Sequence, residues 1–108
     1  MSVCYRGYPD FQKVEKQYRI GRPVQWGAFS STTRSWDAAI QFTDKQKGVI
    51  FKITVLDGRD ISNYSFFQTE NEILLSPNHR FIVTSAMHVQ DEYRVIELCQ
   101  MDGTVFYS

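Results

Sequence analysis

The succession of short apolar runs from Gly48 to the C-terminus constrains the fold more than any other feature of the sequence. β-Branched and aromatic residues are concentrated in these runs, and turn signals such as Asp57-Gly58 and Asp102-Gly103 separate them. Both properties are typical of short strands joined by tight turns. The stretch 59–69 is predicted to be a long functional loop. The predicted strands are residues 49–56, 72–75, 79–89, 93–101 and 104–107.

The first half of the chain predicts a strand over residues 3–7, two short amphipathic helices and an extended segment between them. Asp10 is a suitable cap for the first helix, which should run to about Arg19 before Gly21 stops it. Ser35 is a suitable cap for the second. Early helices followed by many strands indicate an α+β fold with mostly antiparallel pairing. The apolar residues at helical spacing are Phe11, Val14 and Tyr18 in the first helix, and Trp36, Ala39, Ile40 and Phe42 in the second.

The length and charge of the chain exclude several classes of protein. A chain of 108 residues is the size of one domain, so residues 1–108 are predicted to form a single domain. Acidic and basic residues balance at 12 each, without the basic excess of a nucleic-acid-binding protein. No apolar run approaches the roughly 20 residues of a membrane span, and the N-terminus lacks the regions of a signal peptide. We therefore expect no nucleic acid or membrane partner and a cytoplasmic monomer, with delivery as a secreted effector or toxin left open.

The cysteines and histidines form no recognisable metal or redox motif. Cys4 and Cys99 lie near opposite ends of the chain, and the sequence leaves open whether they form one bridge or two buried thiols. His79 and His88 stand alone on predicted strands and are interpreted as ordinary strand residues. No metal ion is expected.

A polar segment with two carboxylates, Glu70 and Glu72, leads directly into the apolar run that follows. In an extended chain these two side chains would point the same way, roughly 7 Å apart. One carboxylate could hold a sugar hydroxyl or a developing cation, while the other takes a proton from the attacking group. A solvated acidic strand edge is the alternative interpretation, and this pair of residues alone does not decide between them.

Three short segments in order decide the question in favour of a catalytic site. Together they resemble the arginine–serine–glutamate signature of the toxin-like mono-ADP-ribosyltransferases, in the arginine-specific branch that ends in Glu-x-Glu. The resemblance covers about residues 3–83, with several matching residues between the motifs, and implies a two-sheet ADP-ribosyltransferase core. The three segments are Tyr5-Arg6-Gly7, Phe29-Ser30-Ser31-Thr32-Thr33 and Glu70-Asn71-Glu72-Ile73-Leu74.

The resemblance implies that NAD is the co-substrate and assigns residues to it. Arg6 would contact the phosphates, and Gly7 would let the backbone approach the nicotinamide amide. Ser31 would hydrogen-bond within the site and fix the catalytic Glu72, whose carboxylate holds the ribose 2′-hydroxyl. Thr33 stands where the family has a third serine and keeps its hydroxyl. Phe42 would stack on the nicotinamide ring, with a place in the helix core as the alternative.

The resemblance also implies an arginine on a target protein as the acceptor. Glu70 would pair with that guanidinium and take its proton, since a guanidinium with a pKa above about 12 arrives charged. The segment before it, including Phe66, Phe67 and Gln68, would recognise the acceptor; the alternative is that both rings fold back into the core.

This sequence departs from the family pattern because Arg6, in the first motif, lies almost at its N-terminus. Catalytic domains of the family usually carry a preceding helical segment that helps to cover adenosine. We therefore expect a minimal form with weak dinucleotide binding and a Michaelis constant at or above about 1 mM. Two alternatives stay open: an NAD glycohydrolase with water as the main acceptor, and a catalytically degenerate protein-binding module.

Overall fold

A computed structural model of the chain describes residues 2–27, 30–55, 65–69, 72–75 and 80–101, with only the backbone for residues 2, 65–69 and 72–74. These residues form nine strands and two helices. In chain order the elements are β1 (Ser2–Tyr8), α1 (Phe11–Glu15), β2 (Pro23–Gln25), β3 (Ser30–Thr33), α2 (Trp36–Gln41), β4 (Val49–Val55), β5 (Ser65–Thr69), β6 (Glu72–Leu75), β7 (Arg80–Val83), β8 (His88–Gln90) and β9 (Tyr93–Gln100).

The strands join in one hydrogen-bonded path, β2-β7-β9-β4-β1-β3-β6-β5, and β8 pairs with β9 beside β7. The β4–β9 pair is parallel, and the other pairs in the described part of the chain are antiparallel. Among the described residues, a single pair, Tyr5 with Thr33, connects β1 to β3. The α+β prediction with mostly antiparallel pairing is therefore confirmed, and the strands of the expected two-sheet core are connected through this junction into one hydrogen-bonded sheet.

Helices on opposite faces cover the central strands β1, β4 and β9, so β4 and β9 are buried on both faces. Alternate residues of β4 reach the two sides: Phe51 packs toward α1, and Ile50 packs toward α2. The larger cluster, on the α1 side, contains Cys4, Val14, Val49, Phe51, Ile53, Val55, Leu75, Phe81, Val83, Ile96 and Leu98. The smaller, on the α2 side, contains Ala39, Ile50 and Val95, with Tyr5, Trp36, Ile40 and Tyr93 against it.

The two cysteines are both free thiols. Cys4 pairs with Ile53 on one side of β4, whereas Cys99 pairs with Thr54 on the other side. Because successive residues of a strand face opposite ways, the two thiols lie on opposite faces of the sheet. This arrangement rules out a bridge between them, which the sequence had left open.

Both helices begin where the sequence predicts. The Asp10 carboxylate accepts from Gln12 N at 3.0 Å, and Ser35 Oγ accepts from Ala38 N at 3.1 Å. The first helix nevertheless ends at Glu15 rather than near Arg19, so that prediction was too long. The chain turns there, and Tyr18 instead stacks on Phe51 with ring centroids 4.9 Å apart. Helical spacing alone could not distinguish this tertiary contact from a further helical turn.

One predicted boundary between strand and loop was wrong, at the end of the loop predicted over residues 59–69. Residues 65–69 form β5, because pairing with β6 places Phe66 opposite Leu74 and Phe67 opposite Ile73. The extended segment predicted between the two helices, at about residues 23–31, holds β2 and the start of β3, which lie on different parts of the path.

The predicted strand 79–89 was also wrong as a single element, since it divides into β7 and β8. A serine hydroxyl takes over a backbone role at the break: Ser85 Oγ accepts from Glu97 N at 3.0 Å. Thr84 N donates to the carbonyl oxygen of the same residue, Glu97 O, at 2.8 Å. His88 lies in β8, whereas His79 and the predicted strand 104–107 lie outside the described residues.

Candidate active site

Backbone register brings the three sequence motifs into one row across the sheet. Thr33 of β3 pairs with Tyr5 of β1 on one side and with Glu72 of β6 on the other. Thr69 of β5 pairs with Glu72 and extends the row. Neighbouring strands are about 4.8 Å apart, so the row places the arginine, hydroxyl and glutamate motifs on adjacent strands. The motifs are far apart in sequence, and this convergence is what a shared site requires.

Arg6 follows Tyr5 on β1 and pairs with Phe51 of β4. Its side chain is half-buried, and its guanidinium lies over the Trp26 ring, 5.0 Å from the ring centroid. No carboxylate in the described part of the chain forms an ion pair with it. Arg6 is therefore a positive charge held against an aromatic surface, a suitable arrangement for an anionic ligand.

Gly7 lies where β1 and the end of α2 come closest. A Cβ atom at this position would collide with the hydroxyl of Thr43, which itself donates to Ala39 O at 2.7 Å. The structure thus explains this glycine by packing against the helix. The predicted approach of its backbone to nicotinamide stays a prediction.

The hydroxyl motif on β3 has inner and outer members. Ser30 and Thr32 are buried, whereas Ser31 is exposed and Thr33 is half-buried. Thr33 Oγ1 accepts from Ser35 N at 3.0 Å, which connects the end of β3 to the start of α2. In register, Thr33 is opposite Glu72, whereas Ser31 is opposite Leu74. The predicted contact between Ser31 and Glu72 stays a prediction.

Phe42 ends α2 and is 82% exposed. The alternative of a place in the helix core is therefore wrong. Buried neighbours such as Ala39 supply the apolar contact of α2 instead. An aromatic ring this exposed is available to a planar ligand, and the predicted stacking of Phe42 on nicotinamide stays a prediction.

The segment before Glu72 carries a bulge. Phe67 pairs with Ile73, and Thr69 pairs with Glu72. The chain therefore advances by two residues in β5 where it advances by one residue in β6. Gln68 is the extra residue. Such bulges bend a strand and redirect its side chains, and they are frequent next to active sites. Glu70 lies outside the described residues, and its predicted role stays a prediction, as do those of Phe66, Phe67 and Gln68.

The sequence analysis missed two residues that contact the predicted site. These residues are Trp26 and Thr43, neither of which belongs to the three sequence motifs. The indole Nε1–H of Trp26 donates to the Tyr18 hydroxyl at 2.9 Å. No local sequence pattern predicts such contacts, because they join residues that only the fold brings together.

The pKa is raised for two weakly acidic groups of the larger core cluster, the buried Cys4 thiol and the half-buried Tyr18 phenol. Burial raises the pKa of the Cys4 thiol, against a hydrogen bond with Thr32 and the charge of Arg34. Burial also raises the pKa of Tyr18, against the hydrogen bond from Trp26 and the charge of Arg6. Both groups are therefore neutral at physiological pH, and Tyr18 can accept from Trp26 as an uncharged phenol.

The described ranges of the chain offer neither a metal-binding cluster nor a membrane-spanning helix. They contain no group of three or more histidine, cysteine, aspartate or glutamate residues able to hold a metal ion. They also contain no helix long and apolar enough to cross a membrane.

Comparison with known proteins gives a consistent result. Residues 2–104 match the family model described as NAD:arginine ADP-ribosyltransferase. NAD(P)(+)–arginine ADP-ribosyltransferase 2 of Gallus gallus is 29% identical over 82 residues, which is 76% of this chain. The chain spans 25% of the length of the curated relatives it matches.

Solved structures resemble the fold. ADP-ribosyltransferase HopU1 of Pseudomonas syringae pv. Tomato DC3000 superposes with a TM-score of 0.66 at 28% identity, covering 93% of this chain and 44% of that one. The Vis toxin of Vibrio splendidus, in a crystal structure with agmatine, superposes with a TM-score of 0.65 at 20% identity. That match covers 99% of this chain and 53% of the other, and at this identity it supports the fold alone.

Proposed function

Because the chain belongs to the NAD:arginine ADP-ribosyltransferase family, we propose that it transfers ADP-ribose from NAD to an arginine side chain of a target protein and releases nicotinamide. The observation that carries the proposal is the row Tyr5–Thr33–Glu72, in which the three motifs meet on adjacent strands. The chemistry of each residue then follows from its type and its place beside this row.

Glu72 is assigned to the bond that breaks. Cleavage between ribose and nicotinamide develops positive charge on the sugar, as in glycoside hydrolysis. A carboxylate that accepts from the ribose 2′-hydroxyl interacts more strongly as that charge grows, which lowers the barrier. The backbone of Glu72 belongs to a paired strand, which is a rigid base for such a contact. Ser31 is assigned to orient this carboxylate.

Arg6 and Phe42 are assigned to NAD itself. A guanidinium can donate two parallel hydrogen bonds to phosphate oxygens, and the position of Arg6 over a ring leaves its positive charge uncompensated among the described residues. The exposed ring of Phe42 is suited to the nicotinamide plane. Gly7 is assigned to the approach of its backbone to the nicotinamide amide. Thr33 is assigned to a hydroxyl contact in the same site. NAD therefore acts as a co-substrate.

Glu70 is assigned to the acceptor. The incoming guanidinium must lose a proton as it attacks, and a carboxylate two residues before Glu72 can pair with it and take that proton. The bulge at Gln68 gives the preceding segment, with Phe66 and Phe67, a shape distinct from a regular hairpin edge. We assign this segment to recognition of the target protein.

The test is an assay with NAD labelled in its ADP-ribose part and agmatine as a guanidino acceptor. Labelled agmatine with release of nicotinamide supports arginine transfer. Free labelled ADP-ribose alone would instead make water the acceptor and the protein an NAD glycohydrolase. If NAD is not consumed, the chain alone is not an enzyme, and the protein-binding alternative replaces the proposal. A monomeric state and a cytoplasmic location stay predictions.

A further inference from the structure

Trp26 is held by contacts on several sides at the margin of the larger core. Its ring lies 5.5 Å from that of Phe51 and 5.4 Å from that of Phe81, both of which are 1% exposed. Its indole N–H donates to the Tyr18 hydroxyl at 2.9 Å. Tyr18 in turn stacks on Phe51 at 4.9 Å. A tryptophan with ring contacts to two core residues and a fixed hydrogen bond has little freedom to turn.

Arg6 lies against this fixed indole. Its register partner on β4 is Phe51, the same residue that supports both Trp26 and Tyr18. The guanidinium lies over the indole with 5.0 Å between the guanidinium carbon and the ring centroid. Trp26, Tyr18 and Phe51 therefore all act on the position of one cationic group.

An aromatic ring holds a cation differently from a carboxylate. It attracts the charge through its negative face but does not neutralise it, and it offers no lone pair that would engage the N–H donors. A guanidinium held in this way keeps its donors for a ligand. Since fewer rotamers must be given up when the ligand binds, a prepositioned arginine also binds an anion more tightly.

We infer that Trp26, oriented by its hydrogen bond to Tyr18, is a positioning residue that holds the Arg6 guanidinium for the diphosphate of NAD. The inference rests on the proposed function, in which Arg6 binds the phosphates, and adds the residues that make this contact efficient. Trp26 acts through Arg6 and not on the reacting bond.

The test compares the affinities for ADP-ribose, which carries the diphosphate, and for nicotinamide, which has no phosphate. Trp26→Leu should weaken ADP-ribose binding about 3- to 10-fold and raise the Michaelis constant for NAD by a similar factor. The turnover number and the nicotinamide affinity should stay within about 2-fold, as expected when ground-state binding alone is lost. In an Arg6→Gln background, Trp26→Leu should cause no further loss of ADP-ribose affinity.

Two milder variants address the possibility that Trp26→Leu fails to fold. Trp26→Phe keeps a ring but lacks the N–H, and Tyr18→Phe keeps the core ring but lacks the acceptor. Both should lower the affinity for ADP-ribose by less than Trp26→Leu does. As in Trp26→Leu, the affinity for nicotinamide should stay nearly unchanged. Trp36→Leu is the matched control, because that tryptophan packs against Tyr5 and Tyr93 on the other face of the sheet. It should leave the ratio of the two affinities unchanged even if it destabilises the fold.

An independent readout needs no activity. The side-chain Nε–H signal of Arg6 should show an upfield ring-current shift in the NMR spectrum, and this shift should disappear in Trp26→Leu or decrease in Trp26→Phe. If the shift disappears while ADP-ribose affinity is unchanged, the inference is overturned and the proposed transferase activity stands. If wild-type protein binds ADP-ribose selectively through Arg6 and Trp26 but transfers nothing to agmatine, the inference is supported and the proposed activity fails. A wild-type protein that does not bind ADP-ribose overturns both.

Discussion

Thr33 and Glu72 are directly opposite each other across β3 and β6. Thr33 also pairs with Tyr5, so one residue of the hydroxyl motif connects the strand that carries Arg6 to the strand that begins with Glu72. The position of Glu72 relative to the arginine is therefore set by backbone pairing across three strands. Changes to its side-chain chemistry should affect catalysis without moving these strands.

Glu72→Gln is expected to preserve the fold and to lose NAD cleavage. The amide keeps the size of the side chain, but it does not carry the negative charge that stabilises the developing positive charge on ribose. The loss should be on the order of 100-fold or more in turnover number, measured as nicotinamide release. An unchanged melting temperature is the control for folding. Turnover within a few-fold of wild type would remove Glu72 from the mechanism.

Glu70→Gln should separate transfer from hydrolysis. It removes the group that takes the proton of the guanidinium and leaves the ribose contact of Glu72 intact. Water needs less help than a charged guanidinium, so nicotinamide release should continue while labelling of agmatine is almost lost. The deciding quantity is the ratio of the two rates in wild type and variant. If both rates fall by the same factor, Glu70 acts on the sugar or on the structure.

Local signals predicted much of the fold. Asp10 and Ser35 act as helix caps because each is a short polar side chain directly before an apolar pattern, which requires no knowledge of the rest of the chain. The burial of β4 follows from its run of β-branched residues. The resemblance to a known family implies that the three motifs meet. The register Tyr5–Thr33–Glu72 is the backbone pairing that brings them together.

The errors came from contacts between distant residues. Phe66 and Phe67 were placed in a loop because the residues before them are polar, but pairing with β6 makes their segment a strand. The break after Val83 depends on Ser85 replacing a backbone acceptor for Glu97, which alternation of residue types does not reveal. The arrangement of Arg6 over Trp26 depends on Phe51, which lies on a third segment of the chain.

Phe42→Ala should weaken NAD binding without destabilising the protein. The ring is 82% exposed, so its removal costs little burial, and the free energy of unfolding should change by no more than about 0.5 kcal/mol. Loss of a stacking partner should raise the Michaelis constant for NAD several-fold and weaken inhibition by nicotinamide. Ala39→Ser, at a buried position on the same helix, is a contrasting control that should lower stability. Unchanged nicotinamide inhibition in Phe42→Ala would contradict the stacking role.

Gly7→Ala should lower stability through Thr43. The new Cβ would occupy the place of the Thr43 hydroxyl, which must then give up its hydrogen bond to Ala39 O. Overpacking and the lost bond together should cost about 1–3 kcal/mol, measured by denaturant unfolding. The double variant Gly7→Ala with Thr43→Ala removes the obstacle and should be less destabilised than the sum of the single changes. Strict additivity would show that Gly7 is needed for another reason.

The protein should become less stable as the pH rises above about 9, the pKa at which an unfolded thiol is half ionised. The pKa of Cys4 is raised in the folded state by burial, so the folded state holds this proton more tightly than the unfolded state does. By linkage, the contribution of the protonated Cys4 thiol to stability is complete below its pKa in the unfolded state. This contribution is lost as the pH rises through its pKa in the folded state. The pKa of Tyr18 is raised by burial as well and adds a second loss of stability that begins near pH 10.

Unfolding free energies should be measured from pH 8 to 11 for wild type, Cys4→Ala and Tyr18→Phe. Each variant should remove its own part of the decline and the double variant most of it, whereas an unchanged decline in the double variant would assign the alkaline loss to other groups.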